Sequence, residues 1–441
     1  MLSSFVVVDA TLANFRRRVA IHHRKRSPCR GPGVAEDAGA QAQCCIVGGG
    51  PAGMMLGYLL ARAGVRTIVL EKHGDFLRDF RGDTIHPSTL EVMHELGLLE
   101  EFLARPHQEV RRLSVSIGRE QLTLADFSHL PTHCRFVALM PQWHFLDFVA
   151  EQAKQWPSFR LRLRSEAKGL LVEGDRVVGV RGSGEDGEFV IHADLIVGAD
   201  GRHSTIREQA GLVVENLGAP MDVLWMRLPK RPDDPPETFG RVGVGHLLVM
   251  IDRGDYWQCA FIIAKGTIDS WRAGGIESLR AVIASVAPSL RARLEVLKSY
   301  DDVRLLTVTV DRLRRWHRPG LLAIGDAAHA MSPIGGVGVN LAIQDAIAAA
   351  NALAEPLREG LVTTAHLESI ERRRSLPTRV TQWIQVTIQN RVVRGILESR
   401  EEPTVPGALR LLHHVPFLQR LPARLIGLGV RPEHVRSARH V

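Results

Sequence analysis

The sequence predicts an α/β protein carrying an inserted β-rich domain, and three observations predict it. A short apolar run, Cys44-Cys45-Ile46-Val47, ends in the glycine cluster Gly48-Gly49-Gly50-Pro51-Ala52-Gly53. A second apolar run, Thr67–Leu70, follows a stretch of helical spacing. Much later, after long strand-patterned segments, the β/α pattern returns at Leu321–Ile324.

Each apolar run is short and unbroken, as expected of a parallel strand buried on both faces. Met54–Ala63 spaces its apolar residues for a helix, and Gly64 stops it. Strand, helix and strand together make a βαβ unit of about 30 residues. Over 110–135 and 221–264 the pattern becomes strand-like and punctuated by Pro and Gly. There Leu247–Ile251 and Trp257–Ile263 read as paired strands joined at Asp252-Arg253-Gly254-Asp255, and Leu279–Leu297 reads as helical. The expected organisation is a main domain from 44–110, 136–215 and 305–390. A β-rich substrate domain comes from 111–135 and 216–304, a helical segment occupies 391–441, and residues 1–43 form a disordered or targeting arm.

Composition narrows the function classes. The 441 residues are 45% hydrophobic and 24% charged, a globular composition. The net charge of +8 is uneven, since Arg16, Arg17, Arg18, Arg24, Lys25, Arg26 and Arg30 precede the first strand. No aromatic-interleaved basic surface follows, which argues against nucleic-acid binding. The five cysteines are scattered and odd in number, implying neither a disulfide framework nor a zinc or other metal site, and pointing to a reducing, cytoplasmic setting. No uninterrupted apolar run is long enough for a transmembrane segment. The chain is expected to be a monomer or homodimer.

Three motifs carry the chemistry. In the first, Gly48 permits a tight turn, Gly50 lets backbone approach a pyrophosphate, and Gly53 allows close helix–strand packing. Pro51 and Ala52 open the helix, whose N-terminus offers N–H groups and partial positive charge. Glu71, followed by Lys72, ends the second strand at the distance expected of an acid that binds ribose hydroxyls. The arrangement is Rossmann-like and fits FAD. The second motif is the strand running from Asp194 into Ala199-Asp200-Gly201, with Ser204 and Arg207 opening a helix. The third is Leu321–Ile324 followed by Gly325-Asp326, and then the glycine-dense loop Pro333-Ile334-Gly335-Gly336-Val337-Gly338-Val339-Asn340. Asp326 can accept from a ribityl hydroxyl, and the loop's N–H groups at a helix start can stabilise charge on a flavin ring.

In order and spacing these motifs resemble the class A FAD-dependent aromatic monooxygenases, the para-hydroxybenzoate hydroxylase-like group that includes ubiquinone-pathway and polyketide-tailoring hydroxylases. The resemblance covers about Cys44 to Arg374. It implies that the glycine loop holds the ADP half of FAD, that Asp200-Gly201 serves FAD and NAD(P)H, and that Gly325-Asp326 meets the ribityl chain. It further assigns Arg81 to the pyrophosphate, Gln142 to the ribityl side, the Ala167 backbone to adenine and Pro333 to the reactive face of the ring. By the same resemblance, Gly336, Val337, Gly338 and Asn340 are expected along the flavin. The implied reaction consumes NAD(P)H and O₂ and hydroxylates an aromatic or quinone-like small molecule through a flavin C4a-hydroperoxide. A reductase or dehydrogenase, a halogenase, or a non-enzymatic binding protein of the same fold are the alternatives.

Weaker features stay open. His86 and His144 could help deprotonate a phenol. Trp225, Met226, Phe239, Met250 and Phe261 could line an aromatic pocket or be plain core. The stretch 407–429 could be a packed helix, an amphipathic cover over the substrate cavity, or a weak membrane-surface contact.

Overall fold

A computed structural model describes residues 38–77, 84–118, 120–234 and 239–440. The central sheet is built from the runs that the apolar pattern marks. Strand β1 (Ala38–Val47) leads through the glycine loop into helix α1 (Pro51–Arg62), and β2 (Thr67–Leu70) pairs parallel to β1, Cys44 opposite Thr67. Helix α2 (Pro87–Glu95) and helix α3 (Gln142–Ala153) precede β3 (Phe159–Arg162), which adds parallel to β2. Strand β4 (Gly187–Gly198) follows, then helix α4 (Thr205–Gln209), and β5 (Leu321–Ala323) pairs parallel to β4. Across the sheet the order is His317–Arg318, β5, β4, β1, β2, β3.

Burial explains why these elements hold. Met54, Met55, Leu56, Leu59 and Leu60 of α1 are fully buried in the core formed by the sheet and its covering helices, each contributing about 1.5–3 kcal/mol through apolar area removed from water. Gly57 is the reason α1 lies so close: a Cβ there would come within 2.7 Å of Val69 Cγ2 and 3.0 Å of the Phe159 ring. Helix α5 (Gly338–Arg358) packs beside α1 and, among the described residues, is the one helix long and apolar enough to cross a membrane by length and composition. Its length and hydropathy would suit a membrane span, but 67% of that window is buried inside the protein, as in a core helix.

Two expectations need correction. Ordered structure begins before Cys44, because β1 already runs from Ala38 and both Ala42 and Gln43 are buried. Gln43 Nε2 donates to the Leu357 carbonyl at 2.7 Å, and its Oε1 accepts from the Arg66 N–H at 2.9 Å. The arm assigned to 1–43 therefore ends earlier; residues 1–37 lie outside the described residues. The helix expected over 279–297 is broken. It runs Gly275–Val286 and then becomes a 3₁₀ stretch, Pro288–Val296. Pro288 lacks the N–H that an α-helix needs there and disfavours helical backbone at Ala287.

A second sheet has seven strands. Their order is Arg304–Leu306, Met221–Pro229, Tyr256–Ala264, His246–Asp252, Phe239–Gly243, Arg112–Ile117 and Glu120–Asp126. All neighbours are antiparallel except Phe239–Gly243 with Arg112–Ile117. Helix Gly275–Val286 covers one face through Leu279 and Ile283, and the other face meets Ile334 of the third motif. Farther on come α6 (Thr364–Ile388), α7 (Gly407–His414) and α8 (Pro416–Gly427).

Candidate flavin-binding site

The three motifs end three neighbouring strands, and their backbones touch. Ala199 N–H donates to the Val47 carbonyl at 2.8 Å, and Ile324 N–H donates to Gly198 at 2.9 Å. Gly48 has φ +110° with its Cα against Ala199, so a Cβ would sit 2.3 Å from the Ala199 carbonyl oxygen. Gly53 faces the Gly48 carbonyl, where a Cβ would come within 1.9 Å, and Gly325 lies against Ala52 and Ala342. One crevice at the carboxyl ends of β1, β4 and β5 results, where open α/β sheets bind ligands. Helices α1 and α5 both start there with no acidic side chain in the first turn, so each presents free N–H groups and partial positive charge. Gly50 differs from the other loop glycines, having nothing within 4 Å of its Cβ position. The room beside it suits a pyrophosphate approaching backbone.

The acids around this crevice play separate parts. Glu71 Oε2 accepts from Gly49 N–H at 3.0 Å, while Oε1 accepts from His73 N–H at 3.0 Å; Lys72 beside it is exposed. Asp200 turns inward and caps α4, accepting from the Ser204 hydroxyl and from Ile206 N–H at 3.1 Å. Burial raises its pKa, and those hydrogen bonds oppose the rise. What Asp200-Gly201 turns outward is backbone, and Gly201 (φ +86°) has open space at its Cβ position. Asp326 stays one-third exposed, 3.3 Å from Arg202 Nη2. Arg207 joins the second motif to the third, donating to the Ala327 carbonyl at 3.4 Å and lying 3.5 Å from Asp311.

In the third motif, Asn340 is committed to protein. Its Oδ1 accepts from His86 N–H and from Thr89 Oγ1, both at 2.8 Å, and its Nδ2 donates to the Thr84 carbonyl at 2.9 Å. Gly336 is required for an internal reason as well, since φ is +63° and a Cβ would lie 2.4 Å from Thr84 Oγ1. Pro333, Val337 and Gly338 are half-buried along the loop. Gln142 is buried at the first turn of α3. Ala167 is buried in strand Glu166–Glu173, paired with Gly182. Arg81 lies outside the described residues.

His86 is fully buried. Its Nδ1–H donates to the Ile426 carbonyl at 2.7 Å, and burial lowers its pKa to about 4. It is therefore neutral at pH 7 and a weak base, suited to tying α2 to the C-terminal segment. His144 hydrogen-bonds the Pro106 backbone and none of the motif residues, and burial lowers its pKa too.

Residues 41–384 match the family described as FAD binding domain. Over 403 residues the chain is 33% identical to 6-methylpretetramide 4-monooxygenase from Streptomyces rimosus, spanning 90% of this chain and 95% of that protein. The chain belongs to the class A FAD-dependent aromatic monooxygenases. The monooxygenase is also 30% identical over 362 residues to rifampicin monooxygenase from Streptomyces venezuelae, covering 78% of this chain and 70% of that one. Its fold matches the OxyS anhydrotetracycline hydroxylase structure from Streptomyces rimosus with TM-score 0.68 and 24% identity, over 89% of this chain and 77% of that chain.

Sequence reasoning missed a buried charge cluster beneath the third motif of this monooxygenase. Asp345 on α5 accepts from Gly325 N–H at 3.1 Å, from His329 Nε2 at 2.5 Å and from Arg374 Nε at 2.9 Å. Burial alone would raise the Asp345 pKa, but His329 and Arg374 outweigh it and hold the carboxyl below its ordinary value. Arg374 also reaches Glu433 at 3.4 Å, and Arg373 binds Glu433 at 2.6 Å and 2.8 Å. The cluster fixes the Gly325-Asp326 turn from behind. Strand alternation sorts the aromatic candidates: Met226, Met250 and Phe261 are core under helix Gly275–Val286, whereas Trp225 faces the other way, in the cluster that includes Ile334. The side chain of Phe239 lies outside the described residues.

Proposed function

We propose that this monooxygenase consumes NAD(P)H and O₂ to hydroxylate an aromatic or quinone-like small molecule through a flavin C4a-hydroperoxide. The observation that carries the reading is the 33% identity to a named monooxygenase across 95% of its length, with all three motifs at one strand-end crevice. FAD, when bound, supplies hydride acceptance and oxygen activation. The chain's own residues do the rest. The α1 N-terminus and Gly50 take the pyrophosphate with Arg81, and Glu71 and Lys72 take the ribose side, with the Ala167 backbone at adenine. Asp326 and Gln142 hold the ribityl chain. The Gly201 turn serves FAD and NAD(P)H, with no second glycine fingerprint for the latter. Pro333 through Gly338, at the N-terminus of α5, stabilise negative charge on the ring.

Asp326→Ala is expected to weaken FAD binding about 10- to 100-fold, removing one charge-assisted hydrogen bond of about 1.5–3 kcal/mol. Flavin fluorescence titration of the apoprotein reads this, and an unchanged dissociation constant removes Asp326 from the site. Trp225 supports a substrate wall, because it lies on the sheet face that meets Ile334 beside Pro333. Trp225→Ala should raise KM for the aromatic substrate while leaving flavin occupancy at the wild-type level; a reduced occupancy instead would assign Trp225 to folding. The reaction itself is tested by NADH and NADPH oxidation with a panel of aromatic compounds that includes 6-methylpretetramide, checking product mass for one added oxygen. Rapid mixing of reduced enzyme with O₂ should show a transient C4a-hydroperoxide. Plain reoxidation without that transient would favour a reductase.

A further inference from the structure

We propose that helices α7 and α8 form an interfacial surface that seats the enzyme on anionic phospholipid. Helix α8 presents two opposite faces. Gln419, Ala423 and Gly427 are buried, and Gly427 sits so close that a Cβ would meet Leu130 at 2.7 Å and Phe127 at 3.4 Å. At 3.6 residues per turn, Phe417, Leu418, Leu421 and Leu425 fall on the far side. They are 70%, 39%, 65% and 38% exposed, and Leu411 of α7 is 58% exposed. The helix is thus docked by its small face, and its large apolar residues point to solvent. Such a contiguous stripe marks an interaction surface.

Charge decides the occupant. From Pro403 to Pro432 there is no Asp or Glu, while Arg410, Arg420, Arg424 and Arg431 all fall in this stretch. Arg420 and Arg424 border the apolar stripe, both exposed, and the Arg420 guanidinium lies 5.4 Å from the Phe417 ring centre. Apolar side chains flanked by arginines match the boundary between acyl chains and anionic headgroups. A second copy of this chain fits less well, because a two-fold contact brings the same basic patch from both subunits together with no acid in the stretch to neutralise it. A lipid-facing helix would also place the surface beside the site: Leu425 and Ile426 are among the residues lining a small cavity that His86, Val337 and Asn340 also line.

The test is co-sedimentation of full-length, FAD-loaded enzyme with vesicles. Binding is expected to vesicles of equal parts phosphatidylcholine and phosphatidylglycerol, weakening with salt, and to be absent with phosphatidylcholine alone. The pairs Phe417→Ser with Leu421→Ser and Arg420→Glu with Arg424→Glu should each reduce binding about tenfold or more while retaining flavin. The two pairs alter different chemistry, so misfolding of one leaves the other informative. No sedimentation with anionic vesicles overturns the proposal. So does binding that survives both pairs, which would assign it to the arginines before residue 31. Concentration-dependent self-association without lipid, abolished by the same pairs, also overturns it, in favour of a second copy.

Discussion

Replacing Gly50 by alanine is expected to raise the FAD dissociation constant about 100-fold while leaving the melting temperature of the apoprotein unchanged. Gly50 adopts φ −75°, which alanine accepts, and nothing lies within 4 Å of the added methyl. The folded chain is indifferent to the change. A pyrophosphate held as proposed would not be, because the methyl would keep it from the N–H groups at the start of α1, a loss of one or two charge-assisted hydrogen bonds at about 1.5–3 kcal/mol each. Gly48→Ala and Gly53→Ala would be poor probes, since their Cβ atoms strike backbone at 2.3 Å and 1.9 Å and damage the fold itself. Gly336→Val is compromised in the same way by Thr84. Fluorescence titration with FAD beside a thermal melt reads both halves of the expectation, and unaltered affinity would place the pyrophosphate elsewhere.

Asp345→Asn should cost about 3–5 kcal/mol of stability, because it leaves Arg374 buried without its nearest counter-charge. Chemical denaturation measures this. A loss below about 1 kcal/mol would mean that Glu433 alone neutralises Arg374. The same carboxylate gives the wild-type protein a pH signature. A depressed pKa contributes stability that is present above the unfolded carboxyl value of about 3.9 and is lost as pH falls through the folded value. His86 adds a second, earlier loss: neutral in the fold down to about pH 4, it lets the unfolded chain gain a proton first, so stability declines from about pH 6.5 downward.

The parallel strands and the glycine loop were legible because they announce themselves locally, in apolar runs that end at glycine. Thr67–Leu70 falls where the pattern puts it. Asp345 was not legible. A lone acid inside a helix reads as part of a solvated face, and its partners come from Gly325, His329 and Arg374, brought together only by packing. Asn340 was placed beside the flavin by its loop, yet its side chain serves Thr84, His86 and Thr89. Trp225 and Met226 stay together as pocket or core in the sequence, although neighbours in a strand face opposite ways, a rule the sequence itself carries. The break at Pro288 was equally visible and was overridden by the apolar spacing around it.

The strand order also constrains how the chain can be made. The edge of β1 that does not face β2 is closed by β4, and β4 in turn by β5. During synthesis the first βαβ unit therefore emerges with a bare sheet edge until β4 arrives, and the edge of β4 then waits while five of the seven strands of the second sheet are translated before β5. Any fragment ending before Leu321 leaves β4 open, an invitation to pair with another chain. The segment around His440 matters to α1 as well, since His440 N–H donates to the Arg62 carbonyl at 2.9 Å. Completion of this sheet and of the helix packed on it is thus a late event, following translation of β5 and of the segment around His440.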